Sequence, residues 1–129
     1  MPVRILIVDS DEKTLEGLRR CLPCPEYEVT ISTSFGDAEK KISSERYDVM
    51  ICEIELDDGA GFDLLAKARE LKPEARFVMT TSNHKLDYVL RALKLGACDY
   101  LKKPVSQRDL QNAVNVSCKY KETMEEIDI

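Results

Sequence analysis

The apolar run DVMIC (48–52) ends on Glu53, and Glu55, Asp57 and Asp58 follow at once in ELDDGAG. Acids this dense raise the question of which one faces a site and what else would meet it there. Three other segments share the form of an apolar run ending in polar side chains. VRILIV (3–8) leads into Asp9, Ser10 and Asp11, RFVMT (76–80) into Thr81 and Ser82, and CDYLK (98–102) into Lys103 and Pro104. If these runs are strands of one sheet, carboxylates, hydroxyls and an ammonium converge at one edge as a polar, ionic site. Singly each has a structural explanation: Asp11 caps a helix, Thr81 caps or turns, Lys103 is a solvated lysine. It is their conjunction that favours a site.

The elements that must position them alternate regularly. Between the runs, Leu15, Leu18 and Leu22 repeat at helical spacing behind the capping candidates Ser10 and Asp11, and Pro23 and Pro25 stop that helix. YEVTI (27–31) alternates, as an edge strand with one wetter face does. A short helix over about 36 to 45 buries Ala38 and Ile42. Leu64, Leu65, Ala68 and Leu71 mark the next helix, and Leu86, Val89, Leu90 and Leu93 another, closed by Gly96. Ser106 and Asp109 form a capping box for a last helix that buries Leu110, Ala113 and Val114. Five strands interleaved with helices predict an α/β fold, a doubly wound parallel sheet whose site lies at the carboxyl ends of the strands. One domain spans 1–122, and residues 123–129 form a polar tail.

Composition narrows the function classes. The chain has 129 residues, 43% hydrophobic and 33% charged, with a formal net charge of -5. That balance offers no electrostatic footprint for nucleic acid. The first strand is too short an apolar run for a membrane span or signal peptide, so a cytoplasmic location is expected. Five dispersed cysteines fit reduced structural thiols. Cys21 and Cys24 have redox spacing but fall where a helix ends, without the dipole that activates a thiolate. A metal site would need Cys52, Cys98, Cys118 or His84 to converge, which nothing in their spacing supports.

ILIVDSD, DVMICEIELDDGAGFDLL, Thr81-Ser82 and ALKLGACDYLKKPV together resemble the receiver domain of two-component response regulators, from about Val3 to Val116. The resemblance implies a flavodoxin-like (βα)5 fold with strand order 2-1-3-4-5 and no enzymatic activity. It implies a phosphoacceptor after the third strand, an acidic pair after the first that holds a divalent metal, and Thr81 and Lys103 as binders of phosphoryl oxygens. A cis peptide before Pro104 is expected with them. The partner face would present Tyr100, Arg91, Lys94 and Lys102, with Gln107 and Arg108 at its margin. Its partners would be a sensor kinase, an output domain or a second copy, and its basic lean fits an acidic partner or a self-complementary dimer.

Two positions depart from the pattern. Counting back eight residues from Gly61 reaches Glu53, where the family has aspartate, and Ser10 stands where the second metal-binding acid belongs. The extra methylene of Glu53 shifts its oxygens by about 1.5 Å. A hydroxyl at Ser10 is a poor ligand for a hard cation, so magnesium is expected to bind weakly or not at all to Asp9, Asp11 and the Glu55 carbonyl. Three readings stay open. Glu53 pairs with Lys103 to close a disused site, or it partly imitates a phosphorylated state, or it accepts a phosphoryl group with Asp9 and Asp11 holding magnesium. Imitation would be partial: a 1:99 to 99:1 shift needs about 5.5 kcal/mol, and an ion pair near a surface has about 4 kcal/mol of gross attraction. A flavin or redox protein on the same kind of sheet is a distant alternative, opposed by the acidic, glycine-free loop DSDEKT.

Overall fold

The computed structural model describes residues 2–83 and 85–127, with side chains described as far as 117 apart from residue 84. His84 and the Cys118 side chain, weighed above as metal ligands, lie outside the described residues. In chain order the elements are β1 (Val3–Val8), α1 (Glu12–Arg20), β2 (Tyr27–Ser32), α2 (Phe35–Ser44), β3 (Val49–Glu53), β4 (Glu55–Leu56), β5 (Gly59–Ala60), α3 (Gly61–Leu71), β6 (Arg76–Thr81), α4 (Leu86–Lys94), β7 (Asp99–Lys102) and α5 (Gln107–Ile127). The large sheet has the order β2-β1-β3-β6-β7 and is parallel throughout. With the small β4-β5 hairpin set aside, this is the 2-1-3-4-5 order expected.

Successive residues of a strand face opposite sides of the sheet, and the core divides accordingly. Ile5, Ile7, Val49, Ile51 and Val78 pack with Leu15 and Leu18 of α1 and Leu110, Ala113 and Val114 of α5. Leu6, Val8, Met50, Cys52, Phe77 and Met79 pack on the other face with α2, α3 and Ala92 of α4. Burial on both faces is what an unbroken apolar run in a parallel sheet requires. Asp11 is the N-cap of α1, its side chain accepting from the Lys13 amide. Gly96, at φ 85°, ends α4: its N–H bonds to Leu93 O while Ala97 N–H bonds to Ala92 O. Only a residue free to enter the left-handed region closes a helix in this way.

One expectation meets a different outcome. Leu86, Leu90 and Leu93 mark a helix, but they do not face the core; they are 71%, 49% and 63% exposed. α4 is seated instead by Ala92, 1% exposed, with Tyr88 and Leu95 partly buried beside it. Positions 88, 92 and 95 are themselves spaced i, i+4, i+7, so a second stripe of smaller or mixed residues competes for the core side and wins it. Residues 123–127, expected as tail, continue the backbone of α5, and 128–129 lie outside the described residues. No helix among the described residues is long and apolar enough to cross a membrane.

Candidate functional site

At the carboxyl edge of the sheet, β1, β3 and β7 bring three charges together. Lys103 follows β7, and its N–H bonds to Thr81 O at 2.8 Å, which aims the side chain inward. The ammonium donates to Asp9 Oδ2 at 2.5 Å and to Glu53 Oε1 at 2.8 Å. Asp9 is 1% exposed and the Lys103 and Glu53 side chains 15% and 14%. The Lys103-Pro104 peptide is cis, as is Cys24-Pro25. Behind Glu53, Gly61 N–H bonds to Ile54 O at 2.7 Å, and a side chain at Gly61 would overlap the Glu53 carbonyl. The glycine that sets the family register is therefore fixed by space.

One ammonium serves two carboxylates, and the protonation behaviour follows. Burial lifts the Glu53 carboxyl above its ordinary value, Asp9 adds to the rise, and Lys103 opposes it only in part. Burial alone would lower Lys103, but its hydrogen bonds to Asp9 and Glu53 prevail and raise it. Lys103 is thus held charged while Glu53 is reluctant to ionise.

The other expected residues take different places. Asp11 lines the same acidic depression as Asp9, Ser10, Glu53, Glu55 and Asp57. Its oxygens, however, hold the start of α1: Oδ2 accepts from Thr14 Oγ1 at 2.8 Å and Oδ1 from Lys13 N at 3.2 Å, and these bonds lower its carboxyl. Ser10 N–H points to Glu53 Oε2 at 3.4 Å, and Ser10 Oγ accepts from Asp57 N at 2.9 Å. Thr81 is buried, with its hydroxyl bonded to Asn83 N and O rather than to Lys103. Ser82 is exposed and borders a separate groove with Thr14, Leu18 and Lys103. On the expected partner face, Arg91, Lys94, Lys102, Gln107 and Arg108 are exposed and Tyr100 is half-buried.

Magnesium wants several free, hard oxygens. Here Asp9 binds Lys103 and the Asp11 amide, Ser10 Oγ accepts from an amide, and Asp11 caps a helix. Among the described residues no group of three or more His, Cys, Asp or Glu is arranged to hold a metal. The donor set does not fit the cation.

Several site contacts have no sequence signal. Ser34 is the N-cap of α2, and Asp58 adds to it from another segment, accepting from Phe35 N at 2.7 Å and Gly36 N at 3.2 Å, which lowers its carboxyl. Glu55 Oε1 accepts from Tyr88 Oη at 2.7 Å and Asn83 Nδ2 at 3.1 Å. The Asp57 amide and the Asp58 carboxylate therefore serve the loop's attachment, and among the described acids of this stretch Glu53 is the one whose carboxylate bonds Lys103. Cys21, Cys24, Cys52 and Cys98 are free thiols; burial pushes Cys52 far up, away from thiolate chemistry.

Known proteins share this sequence pattern and fold. The response regulator receiver domain model matches residues 5–115. The alginate biosynthesis transcriptional regulatory protein AlgB of Pseudomonas putida is 34% identical over 110 residues, 85% of this chain and 25% of that protein. The photosynthetic apparatus regulatory protein RegA of Rhodobacter capsulatus is 29% identical over 110 residues, 85% of this chain and 60% of that protein. The chain thus spans between a quarter and three-fifths of these regulators. Among solved structures, a CheY-like receiver domain protein from Methanospirillum hungatei superposes with a TM-score of 0.90 at 33% identity, covering 96% of this chain and 99% of that one. With fold, register and the Lys103-Pro104 step in place, the chain belongs to the response regulator receiver family of two-component signalling.

Proposed function

We propose that this receiver acts through protein contacts without taking a phosphoryl group, its cleft held in one arrangement by the Asp9–Lys103–Glu53 triad. The observation that carries the reading is the bridging ammonium, which joins Glu53 to Asp9 where a transferable phosphoryl group would need space and a cation. Glu53 supplies charge toward Lys103, so imitation of the phosphorylated state is partial: about -1 and two oxygens against roughly -1.5 to -2 and three. The contact surface is the outer side of α4 with β7, where Leu86, Leu90 and Leu93 lie among Lys85, Arg91, Lys94 and Lys102. An apolar stripe rimmed by cations on a net acidic chain fits an acidic, amphipathic helix of a sensor kinase or output domain.

Intact mass after incubation with a small phosphodonor and magnesium tests the cleft. No mass increase is expected. A stoichiometric gain of one phosphoryl group that disappears in Glu53→Gln would overturn the reading and make Glu53 the acceptor.

A further inference from the structure

We infer that the β4-β5 hairpin is a bracket, latched by the Ser10 hydroxyl, that couples the triad cleft to the position of α4. The hairpin is tied on three sides. Ser10 Oγ accepts from Asp57 N at 2.9 Å across 47 residues, joining it to the loop after β1. Asp58 caps α2, with the Phe35 ring lying over Gly59. Glu55 Oε1 takes both Tyr88 Oη and Asn83 Nδ2, joining the hairpin to the first turn of α4 and to the loop before it. Phe62 then meets the Tyr88 ring edge-on at 5.8 Å between centroids.

Ser10 is the residue that makes this bracket independent of a cation. An acid at this position would repel Asp9 and Glu53 unless an ion lay between them; the neutral hydroxyl bonds the hairpin directly. Residue 10 also reaches Glu53 through its own N–H, so one residue contacts both the triad and the latch. The hairpin therefore stays closed whatever the metal supply, and α4 is held through Glu55 and Tyr88 with its leucine stripe outward. Ser10 acts through the hairpin: it is a positioning residue. The inference rests on the protein-contact reading only for the use of the α4 face; the coupling itself rests on the hairpin contacts.

Amide hydrogen exchange of the full chain tests it residue by residue. In Ser10→Ala the Asp57 amide should exchange roughly five- to tenfold faster, the scale of one lost hydrogen bond. The Tyr88 and Val89 amides, which bond to Lys85 O, should accelerate with it. Ser10→Thr, which keeps the hydroxyl, should restore protection at all three. In a background carrying Tyr88→Phe with Asn83→Ala both Glu55 bonds are cut, so adding Ser10→Ala should speed Asp57 but leave α4 where that background put it. Added magnesium should change none of these rates in the unmodified chain. Acceleration confined to Asp57 in Ser10→Ala, or magnesium-dependent protection in the unmodified chain, would overturn the coupling. Acceleration confined to Asp57 bears on the coupling and not on phosphoryl uptake, which intact mass reads independently, so the two readings fail separately.

Discussion

The triad cleft and the outer face of α4 use their side chains in opposite ways. In the cleft the charges are turned inward and matched: Asp9 is 1% exposed and yet ionically paired through Lys103. On α4 large apolar groups are turned outward, and Leu86 is 71% exposed. Burying a charge costs several kcal/mol unless partners satisfy it, whereas exposing a leucine forgoes about 1.5–3 kcal/mol of burial. A fold that bears both costs has a closed interior site and an open surface. That is the division of labour the proposed signalling by contact requires, and it can be attacked from either side.

The largest effect is expected at Lys103. Lys103→Met leaves Asp9 and Glu53 buried together with no cation, and breaking a buried pair on one side costs about 3–5 kcal/mol, measured by urea denaturation at neutral pH. Glu53→Gln should cost little there and should recover part of the loss when combined with Lys103→Met. The signs follow from the shifts. The Glu53 pKa is raised in the fold, so its contribution is complete below the ordinary carboxylate value of 4.5 and is lost as pH rises through the raised one. The Lys103 pKa is also raised, so its contribution holds up to 10.5 and is lost above, as pH passes the raised value. A Lys103→Met protein as stable as the parent would show that the triad is solvated, and the contrast with α4 would dissolve.

Next in size is the restoration of an acceptor. Ser10→Asp with Glu53→Asp returns both family acids while Lys103 remains aimed at the cleft, and intact mass with a phosphodonor and magnesium should then report one phosphoryl group. Neither single change should suffice. With Glu53→Asp alone the cation lacks a ligand; with Ser10→Asp alone the nucleophile stays about 1.5 Å out of place, an error worth about a hundredfold in rate. A folded double variant that takes no phosphoryl group would mean that the contacts around the cleft, including Thr81 turned to Asn83, have drifted with it.

Legibility in the sequence followed the range of the interactions. Unbroken runs such as VRILIV and DVMIC report burial on both faces, and the parallel sheet follows from their alternation with helices. Lys103 and Glu53 are placed together because both stand at carboxyl ends of strands in one sheet, and the side chains meet although β6 lies between β3 and β7. The Lys103–Asp9 bond spans 94 residues, and the hairpin's ties to Ser10, α2 and Tyr88 span 22 to 47; no periodicity records them. Asp58 shows the difficulty best. In sequence it is one more acid near Glu53, and in space it accepts the first two amides of a helix that begins 23 residues earlier. The α4 leucines were misleading for another reason: their spacing defines a face but not which way it turns, and Tyr88, Ala92 and Leu95 offer a rival stripe.

The smallest effect on stability is expected on α4, and it tests the comparison most directly. Leu86→Lys and Leu93→Lys replace exposed leucines with a residue of similar helix propensity, so each should change unfolding free energy by no more than about 0.5 kcal/mol. Ala92→Leu, six residues after Leu86 but 1% exposed, should cost about 1–3 kcal/mol because the core against Tyr88 and Leu95 has no room for three more carbons. Urea denaturation at two protein concentrations reads both. If Leu86→Lys or Leu93→Lys costs more than about 1 kcal/mol at every concentration, the stripe is covered within the folded chain and α4 packs differently. If the cost appears only at high concentration, a second copy covers it, and the acidic helix gives way to a self-complementary dimer as the occupant. A cost near zero at both, with Ala92→Leu expensive, leaves the stripe open to a partner of different chain.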